Sequence, residues 1–210
     1  MTSPPPSIRI RPSILYFGTP VLLITSRNPD GGTNITPMSS AWALADRVVL
    51  GLTGGGQGLA NLEREREAVL NVAAPALWSA IEAIARATGR DPVPAWKSEV
   101  GYRHVPDKFA AAGLTPCAST QVKPPRIAEC PLQLEARVVE VRRRDLAAWR
   151  ADAGHFAVVE TEVVAVHAHA DVVVPGSDHV DPTRFDPLLY VFRHYVAGGE
   201  RLGRTFKAEV

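Results

Sequence analysis

The sequence lacks the features that mark several classes of protein. Only two of its 210 residues are cysteines, Cys117 and Cys130, and they do not form a C-x-x-C pair. This excludes a disulfide framework, favours a reducing compartment and suggests that both thiols are inert packing groups. The N-terminus is rich in proline and has no signal-peptide core, and no apolar run is long enough to span a bilayer. We therefore expect a cytoplasmic protein without a membrane partner.

An excess of charge is also missing. The 23 Lys and Arg residues almost balance the 22 Asp and Glu residues, so no surface field recruits nucleic acid. A hydrophobic content of 46% with 21% charged residues is typical of a globular protein with a packed core. The length predicts a single domain, at residues 13–210. The proline-rich start predicts a disordered lead-in at residues 1–12, and the helical pattern predicts an insertion at about residues 75–112.

Short β-rich runs separated by turn-forming residues dominate the pattern. Strands are predicted at residues 21–25, 47–52, 68–72, 131–141 and 156–174. Helices are predicted at residues 59–67, where alternating Glu and Arg suggest a solvated surface, from Pro75 to just before Gly89, and at residues 108–112. Residues 142–145 are expected to form a solvated turn, and the chain after residue 175 to form loops. Because the links are local, we predict a mainly β, antiparallel barrel of Greek-key type with inserted helices.

A glycine-rich segment, Thr-Gly-Gly-Gly-Gln-Gly at residues 53–58, immediately precedes a predicted helix. Backbone N–H groups at such a helix N-terminus, with glycines that permit close approach, favour a phosphate or another anion. The segment is neither a G-x-G-x-x-G fingerprint nor a P-loop, so a flexible loop without a ligand remains an alternative.

A second polar segment concentrates hydroxyls, an amide and an indole within residues 34–42. These groups can bind the rim of a planar heterocycle while Trp42 or Met38 contacts its apolar part. The polar candidates are Asn34, Thr36, Ser39 and Ser40. A surface loop whose hydroxyls satisfy their own backbone is the competing interpretation.

Other chemistry has little support. His167, His169 and Asp171 would share one face of a strand, but the residues between them are apolar and no further His or Cys cluster accompanies them. Neither a G-x-S-x-G elbow nor an H-E-x-x-H motif occurs. We therefore predict no metal site and assign no catalytic side chain.

Several ordered blocks together resemble the flavin reductase-like family with the FMN-binding split barrel, which includes flavoredoxin-like flavoproteins. The resemblance runs from about Ile14 to Phe206. The blocks that carry it are Asn-Ile-Thr-Pro-Met-Ser-Ser at residues 34–40, Leu-Ala-Asn-Leu at 59–62, Val-Leu-Asn-Val at 69–72, residues 108–115, 125–131 and 134–135, and residues 185–188 with 199–203.

The resemblance implies a homodimer with FMN near the subunit interface. Its implied contacts to the isoalloxazine and ribityl chain are Asn34, Thr36, Met38, Ser39 and Ser40, with Trp42 added from the polar segment. Its implied contacts to the phosphate end are Thr53, Gln57, Gly58 and Asn61. The implied activity is NAD(P)H-dependent flavin reduction, in which NADH or NADPH is a transient donor of hydride and a monooxygenase can be the partner that receives reduced flavin.

One departure from the family pattern concerns the phosphate. Many relatives have Lys-Asp-Thr where this chain has Gly56-Gln57-Gly58. A positive charge and a hydroxyl are therefore absent there, so phosphate binding would rely on backbone amides, Thr53, and a more distant Arg126 or Lys108.

Two further functions remain open. One is a flavoprotein oxidoreductase or oxygenase that holds FMN tightly and acts on a small organic substrate, with Trp78 and Trp96 of the insertion covering the flavin. The other is a flavin-binding protein or electron carrier without enzymatic activity, which the missing Lys-Asp-Thr motivates.

Overall fold

The computed structural model describes residues 4–145 and 155–199, together with residues 202 and 205. Numbered along the chain, the strands are β1 (Phe17–Pro20), β2 (Leu22–Arg27), β3 (Thr33–Met38), β4 (Ala41–Leu44), β5 (Arg47–Thr53), β6 (Glu67–Val72), β7 (Ala87–Thr88), β8 (Arg103–His104), β9 (Pro116–Cys117), β10 (Arg126–Ile127), β11 (Leu132–Asp145), β12 (His155–Ala168), β13 (Leu189–Val191) and β14 (His194–Val196). The helices are α1 (Gln57–Glu65), α2 (Trp78–Ala83), α3 (Ala95–Glu99) and α4 (Lys108–Ala112).

A seven-stranded antiparallel sheet forms the body of the molecule, in the order β3-β2-β6-β11-β12-β5-β4. Its longest pair is the β11–β12 hairpin, which is interrupted by two register shifts of the kind that bulges produce. This architecture confirms the predicted antiparallel split barrel. The predicted turn at residues 142–145 is wrong, because β11 continues to Asp145. Arg143 stays exposed on the strand and forms a bidentate ion pair with Glu63 of α1.

The first hydrophobic core fills the inside of the curved sheet. Leu50 of β5 and Leu70 of β6 are fully buried there, and α1 closes one end of the barrel with Leu59 and Leu62. The predicted solvated helix at residues 59–67 is therefore solvated on one face only. It begins two residues earlier than expected and ends at Glu65, before Arg66 adopts a left-handed conformation.

A second core lies on the outer side of the same sheet. Alternate residues of the 21–24 run face the two cores: Leu22 and Ile24 point into the barrel, whereas Val21 and Leu23 pack against the insertion. Burial on both faces explains why this run is continuously apolar rather than alternating. The insertion contributes α2, α3, α4 and the short parallel pair β7–β8.

The insertion is less helical than the sequence suggested. The helix predicted from Pro75 to Gly89 is a 3₁₀ turn at Pro75–Leu77 followed by the six residues of α2, and the chain then enters β7. Ile81 of α2 is buried in this segment, and Ile84, just after the helix, is buried as well. By contrast, the short helix at residues 108–112 is confirmed, and Gly113 ends it with φ of 63°.

An early strand and two late strands of the described chain form a three-stranded sheet, β1-β13-β14. The expectation of loops after residue 175 is therefore wrong for residues 189–196. The expected loop at residues 33–40 is likewise mostly strand, since β3 pairs along its length with β2. In the predicted strand at 156–174, β12 ends at Ala168 and a 3₁₀ turn, Ala170–Val172, follows.

Several predictions fall on the chain termini. Residues 4–12 form neither helix nor strand, while residues 1–3 of the predicted lead-in and most of the tail after residue 199 lie outside the described residues. Within the described part of the chain, no helix has the length and apolar character to cross a membrane. Cys130 is buried, and burial raises the pKa of its thiol to about 12, which keeps it protonated.

Candidate functional site

A cavity of about 500 Å³ lies between the barrel and the insertion. This volume is within the range of small-molecule sites in proteins. The barrel side is formed by β3, β5 and the start of α1, and is called here the barrel wall. The facing side is formed by residues 81–108 and is called the insertion wall, while Tyr16, Tyr190 and Tyr195 complete the lining.

Most of the predicted site residues come together on the barrel wall. The members that line the cavity are Asn34, Thr36, Met38, Ser39, Ser40, Thr53, Gln57 and Gly58. The two polar segments of the sequence, 34–40 and 53–58, thus meet at one surface. They meet because β3 and α1 pack against each other so closely that a Cβ on Gly58 would overlap the Thr36 hydroxyl.

The polar groups on this wall are held in fixed positions. Asn34 Nδ2 donates to Thr36 Oγ1 at 2.9 Å, and the Ser40 hydroxyl lies 2.6 Å from the Tyr16 hydroxyl. Asn34 is 2% exposed, and its Oδ1 has no hydrogen-bond partner among the described residues. A buried acceptor without a partner is energetically costly, so this oxygen is suited to accept from a ligand in the cavity.

The remaining two predicted residues do not line the cavity. Trp42 lies opposite Val49 in the β4–β5 pair and is exposed, because side chains alternate along a strand and the neighbouring Ala41 points inward. Asn61 is fully buried behind the barrel wall. It accepts from Gln57 Nε2 at 2.7 Å and donates to Ser26 and Asn28, so it positions Gln57 from within the helix.

The insertion wall brings a lysine that the sequence did not single out. Lys97 of α3 is 9% exposed, with its Nζ 5.3 Å from the Trp96 ring and 5.5 Å from the Tyr102 ring. A Cβ on Gly56 would lie 3.9 Å from this Nζ. Burial and the charge of Arg90 lower the pKa of Lys97. No local pattern marks this residue, since only the fold brings the insertion to the glycine-rich turn.

Lys108, proposed from the sequence as a distant phosphate contact, also lines the cavity. It is 3% exposed, and its Nζ donates to the Ile35 carbonyl at 2.8 Å. Burial, and secondarily the charge of Lys97, lower its pKa to about 7. Arg126, the other distant candidate, lies elsewhere: it bonds to Gln133 and to the Ala118 carbonyl.

Of the two tryptophans expected to cover the site, Trp96 lines the cavity, whereas Trp78 is exposed and does not. Three tyrosines that the sequence analysis did not assign form another part of the lining. Tyr16 packs edge-on against Tyr190, and Tyr190 packs against Tyr195. The Tyr195 hydroxyl donates to Glu82, and burial together with this carboxylate raises the pKa of Tyr195.

The histidines of the 167–171 segment are engaged away from the cavity. His167 bonds to Glu135, a fully buried carboxylate that also accepts from Thr120 and Gln121, and His169 bonds to the Ala128 carbonyl. Burial alone would raise the pKa of Glu135, but these hydrogen bonds outweigh it and lower the pKa. No group of side chains that could hold a metal occurs in residues 4–145 and 155–199.

The barrel wall therefore presents hydroxyl, amide and backbone groups to the cavity, and the insertion wall presents two buried lysines, Lys97 and Lys108. This arrangement suits a ligand with a flat polar part and an anionic part. Glu82 is the acidic residue among the described lining residues, and it is already bonded to Tyr195.

Comparisons with known proteins agree with this architecture. The model of the "Flavin reductase like domain" family matches residues 14–199. The chain is 41% identical over 200 residues to the uncharacterized protein YdfE of Bacillus subtilis (strain 168), an alignment that covers 95% of this chain and 93% of YdfE.

Two solved structures share the fold. Flavoredoxin of Desulfovibrio vulgaris (Miyazaki F) superposes with a TM-score of 0.71 at 19% identity, covering 97% of this chain and 98% of that one. Nitrilotriacetate monooxygenase component B from Bacillus cereus superposes with a TM-score of 0.70 at 17% identity, with the same coverage of both chains.

Proposed function

The chain belongs to the flavin reductase-like domain family, and we propose that within this family it is an NAD(P)H-dependent flavin reductase that binds FMN in the cavity. The observation that carries the proposal is the barrel wall, where two separate segments of the sequence that resemble the family's flavin contacts form one surface of the cavity.

The residues present fit FMN. The unpartnered Asn34 Oδ1 and the Ser39 and Ser40 hydroxyls suit the polar rim and the ribityl chain, and Met38 offers an apolar contact. Thr53, Gln57 and Gly58 adjoin the N-terminus of α1, where a phosphate is stabilised by unpaired N–H groups. Asn34, Thr36, Met38, Ser39 and Ser40 would therefore hold the ring and ribityl chain, and Thr53, Gln57 and Gly58 the phosphate end.

When bound, FMN supplies the hydride-accepting chemistry, and the protein supplies binding, orientation and electrostatics. The contribution of this chain is to keep its polar atoms fixed. Thr36 holds Asn34, Tyr16 holds Ser40, and Asn61 holds Gln57, each through a hydrogen bond shorter than 3.0 Å. We assign no side chain to proton transfer.

The donor and the partners follow from the same proposal. NADH or NADPH would bind transiently against the flavin, which requires no nucleotide fingerprint in the sequence. We propose a homodimer with FMN near the subunit interface. One solved structure of the same fold is named as a monooxygenase component, which supports a monooxygenase as the recipient of the reduced flavin.

A second candidate function is favoured by the aromatic lining of the cavity. The insertion contributes Trp96 and Tyr102 to the lining, and the terminal sheet contributes Tyr190 and Tyr195. Such walls suit FMN that stays bound while a small organic substrate is reduced or oxygenated. Turnover of added free flavin distinguishes the two candidates, because only an exchangeable flavin is released and replaced.

The test is a visible absorption spectrum of the purified protein with FMN, before and after anaerobic addition of NADH or NADPH. Flavin bands that bleach on addition of either nucleotide are the expected result. Flavin bands that persist would contradict the reductase function while leaving FMN binding intact. A protein that takes up no FMN would contradict both candidate functions.

A further inference from the structure

Lys97 is buried without an acidic partner. Among the described residues, no carboxylate forms an ion pair with it, and its contacts are the rings of Trp96 and Tyr102. Cation–π contacts stabilise an ammonium only in part against the cost of removing it from water. An anion in the cavity would therefore stabilise the charged form of Lys97.

The ammonium points at the beginning of α1. Gly56 is the N-cap of this nine-residue helix, and no side chain caps it and no acidic residue occupies its first turn. The first N–H groups of a helix have no partner within the helix, and they carry the positive end of its dipole. Lys97 Nζ lies 3.9 Å from the position that a Cβ on Gly56 would occupy. The lysine and the N–H groups at the start of α1 could therefore bind the same anion.

A second buried lysine lines the same cavity. Lys108 Nζ donates to the Ile35 carbonyl at 2.8 Å, and repulsion from Lys97 contributes to the lowered pKa of Lys108. In the described part of the chain, neither lysine forms an ion pair with a carboxylate. A cavity with one ammonium group and a second lysine that an anion would help to keep protonated suits a phosphate monoester, which carries about −1.5 to −2 charges at neutral pH.

We propose that Lys97, supported by Lys108 and the N-terminus of α1, forms a phosphate-monoester site through which this chain selects FMN over riboflavin. The inference rests on the proposed function in that it takes the phosphate to be that of the flavin. It also accounts for Gly56-Gln57-Gly58, because the lysine missing from this segment is supplied through space by Lys97 beside Gly56.

The experiment compares the Kd of FMN with that of riboflavin, measured by quenching of flavin fluorescence. In the wild-type protein we expect FMN to bind at least about tenfold more tightly than riboflavin. Lys97→Gln should weaken FMN binding by about tenfold to a hundredfold and change riboflavin binding by less than about twofold, while Lys97→Arg should retain most of the preference. Lys123→Gln, which removes an exposed lysine paired only with Glu65, is the matched control and should change neither constant.

A second measurement uses inorganic phosphate as the probe, with no flavin present. Phosphate should raise the Tm of the wild-type and Lys123→Gln proteins but not that of Lys97→Gln, because binding to the native state stabilises it. This separates the two proposals. A protein that binds no flavin but responds to phosphate only when Lys97 is present would contradict the proposed function and support the site.

Two outcomes would overturn the inference while leaving the flavin reductase intact. One is equal affinity of the wild-type protein for FMN and riboflavin. The other is an equal loss of both affinities in Lys97→Gln, which would mean that Lys97 only shapes the cavity. Far-UV circular dichroism of each variant checks that the fold is retained.

Discussion

The two walls of the cavity are built on different physical principles. On the barrel wall, β3 and β5 are held by backbone ladders to β2, β4 and β12, so the positions of their side chains follow from strand register. The insertion wall has helices of only five or six residues and a two-residue parallel pair. Its shape depends on side-chain packing beneath it.

The walls also differ in chemistry. The barrel wall presents neutral polar groups and close backbone, whereas the insertion wall presents both buried lysines. The hydrogen-bonded strands of the barrel wall suit the recognition of a rigid, planar ligand group. The charged lysines lie instead on the insertion wall, which a hydrophobic cluster that includes Ile81, Ile84 and Phe109 anchors to the barrel. The difference implies that the insertion wall is the more sensitive of the two to loss of packing.

The largest effect is expected at Ile84, which is fully buried under the insertion wall. Ile84→Ala should lower the free energy of unfolding by about 2–5 kcal/mol, because it removes buried methyl groups and leaves a cavity. The same cluster includes Leu23 of β2, so the barrel and insertion should unfold together. Urea titrations followed by tryptophan fluorescence and by far-UV circular dichroism should give coincident transitions.

The control for this prediction is Val139→Ala, at an exposed position of β11. It should change stability by less than about 0.5 kcal/mol. Separate transitions for the two probes in Ile84→Ala would show that the insertion folds as an independent unit and that the two walls are not mechanically coupled.

An intermediate effect is expected where the walls touch. A methyl group on Gly89 would lie 2.6 Å from Asn34 Oδ1 and 3.0 Å from Gln57 Cγ. Gly89→Ala should therefore push the insertion off the barrel wall, destabilise the protein by about 1–3 kcal/mol and weaken FMN binding by about tenfold. Chemical denaturation and the FMN Kd measure the two effects.

Gly199→Ala is the matched control, because a Cβ there meets nothing within 4 Å. It also reports the small stabilisation that a glycine-to-alanine change gives through the unfolded chain where the backbone conformation permits alanine. If Gly89→Ala behaves like Gly199→Ala in both measurements, Gly89 does not pack against Asn34 and Gln57.

Sequence reasoning was most successful for segments whose pattern is set by local backbone constraints. The segments 34–40 and 53–58 were recognisable because closely spaced polar side chains and glycines constrain a strand and a helix N-terminus locally, and the structure brings both to one cavity. The short α4 was predictable for the same reason, since Gly113 adopts the positive φ that ends it.

Long-range contacts could not be predicted in this way. Lys97 lies beside Gly56, and Tyr195 donates to Glu82. In both cases the two residues are far apart in the sequence, and no local motif links them. The continuation of β11 through three arginines was missed because their pairing with Glu63 of α1 depends on how the helix packs. The sequence could not show that Trp42 faces away from the cavity, because its orientation depends on how β4 pairs with β5.

A smaller effect is expected from the titration of Lys108. Its pKa is about 7 in the folded protein and about 10.4 in an unfolded chain. Between these values the unfolded state binds the additional proton, so stability should rise with pH, by at most about 1.4 kcal/mol per pH unit from this group. Below about pH 7 the lysine is protonated in both states and the slope should vanish.

Lys108→Met removes this contribution, while groups that do not interact with Lys108 titrate alike in the two proteins. The difference in unfolding free energy, wild type minus Lys108→Met, should increase as the pH is raised from about 7 to about 9. A difference that is independent of pH over this range would mean that the buried amine keeps its ordinary pKa and that the insertion wall is more hydrated than its burial indicates.

The smallest effect is expected at Trp42, which would contact the flavin if the whole segment 34–42 acted as one loop. In the structure its side chain lies beside Val49, Arg142 and Val158, on a face of the sheet away from the cavity. Trp42→Ala should therefore change the FMN Kd by less than about twofold, which corresponds to about 0.4 kcal/mol. Met38→Ala, on the cavity side, is the comparison and should weaken FMN binding severalfold. Equal and large losses in both variants would mean that this outer face also contacts flavin, as it would if a second subunit brought its own cavity against β4.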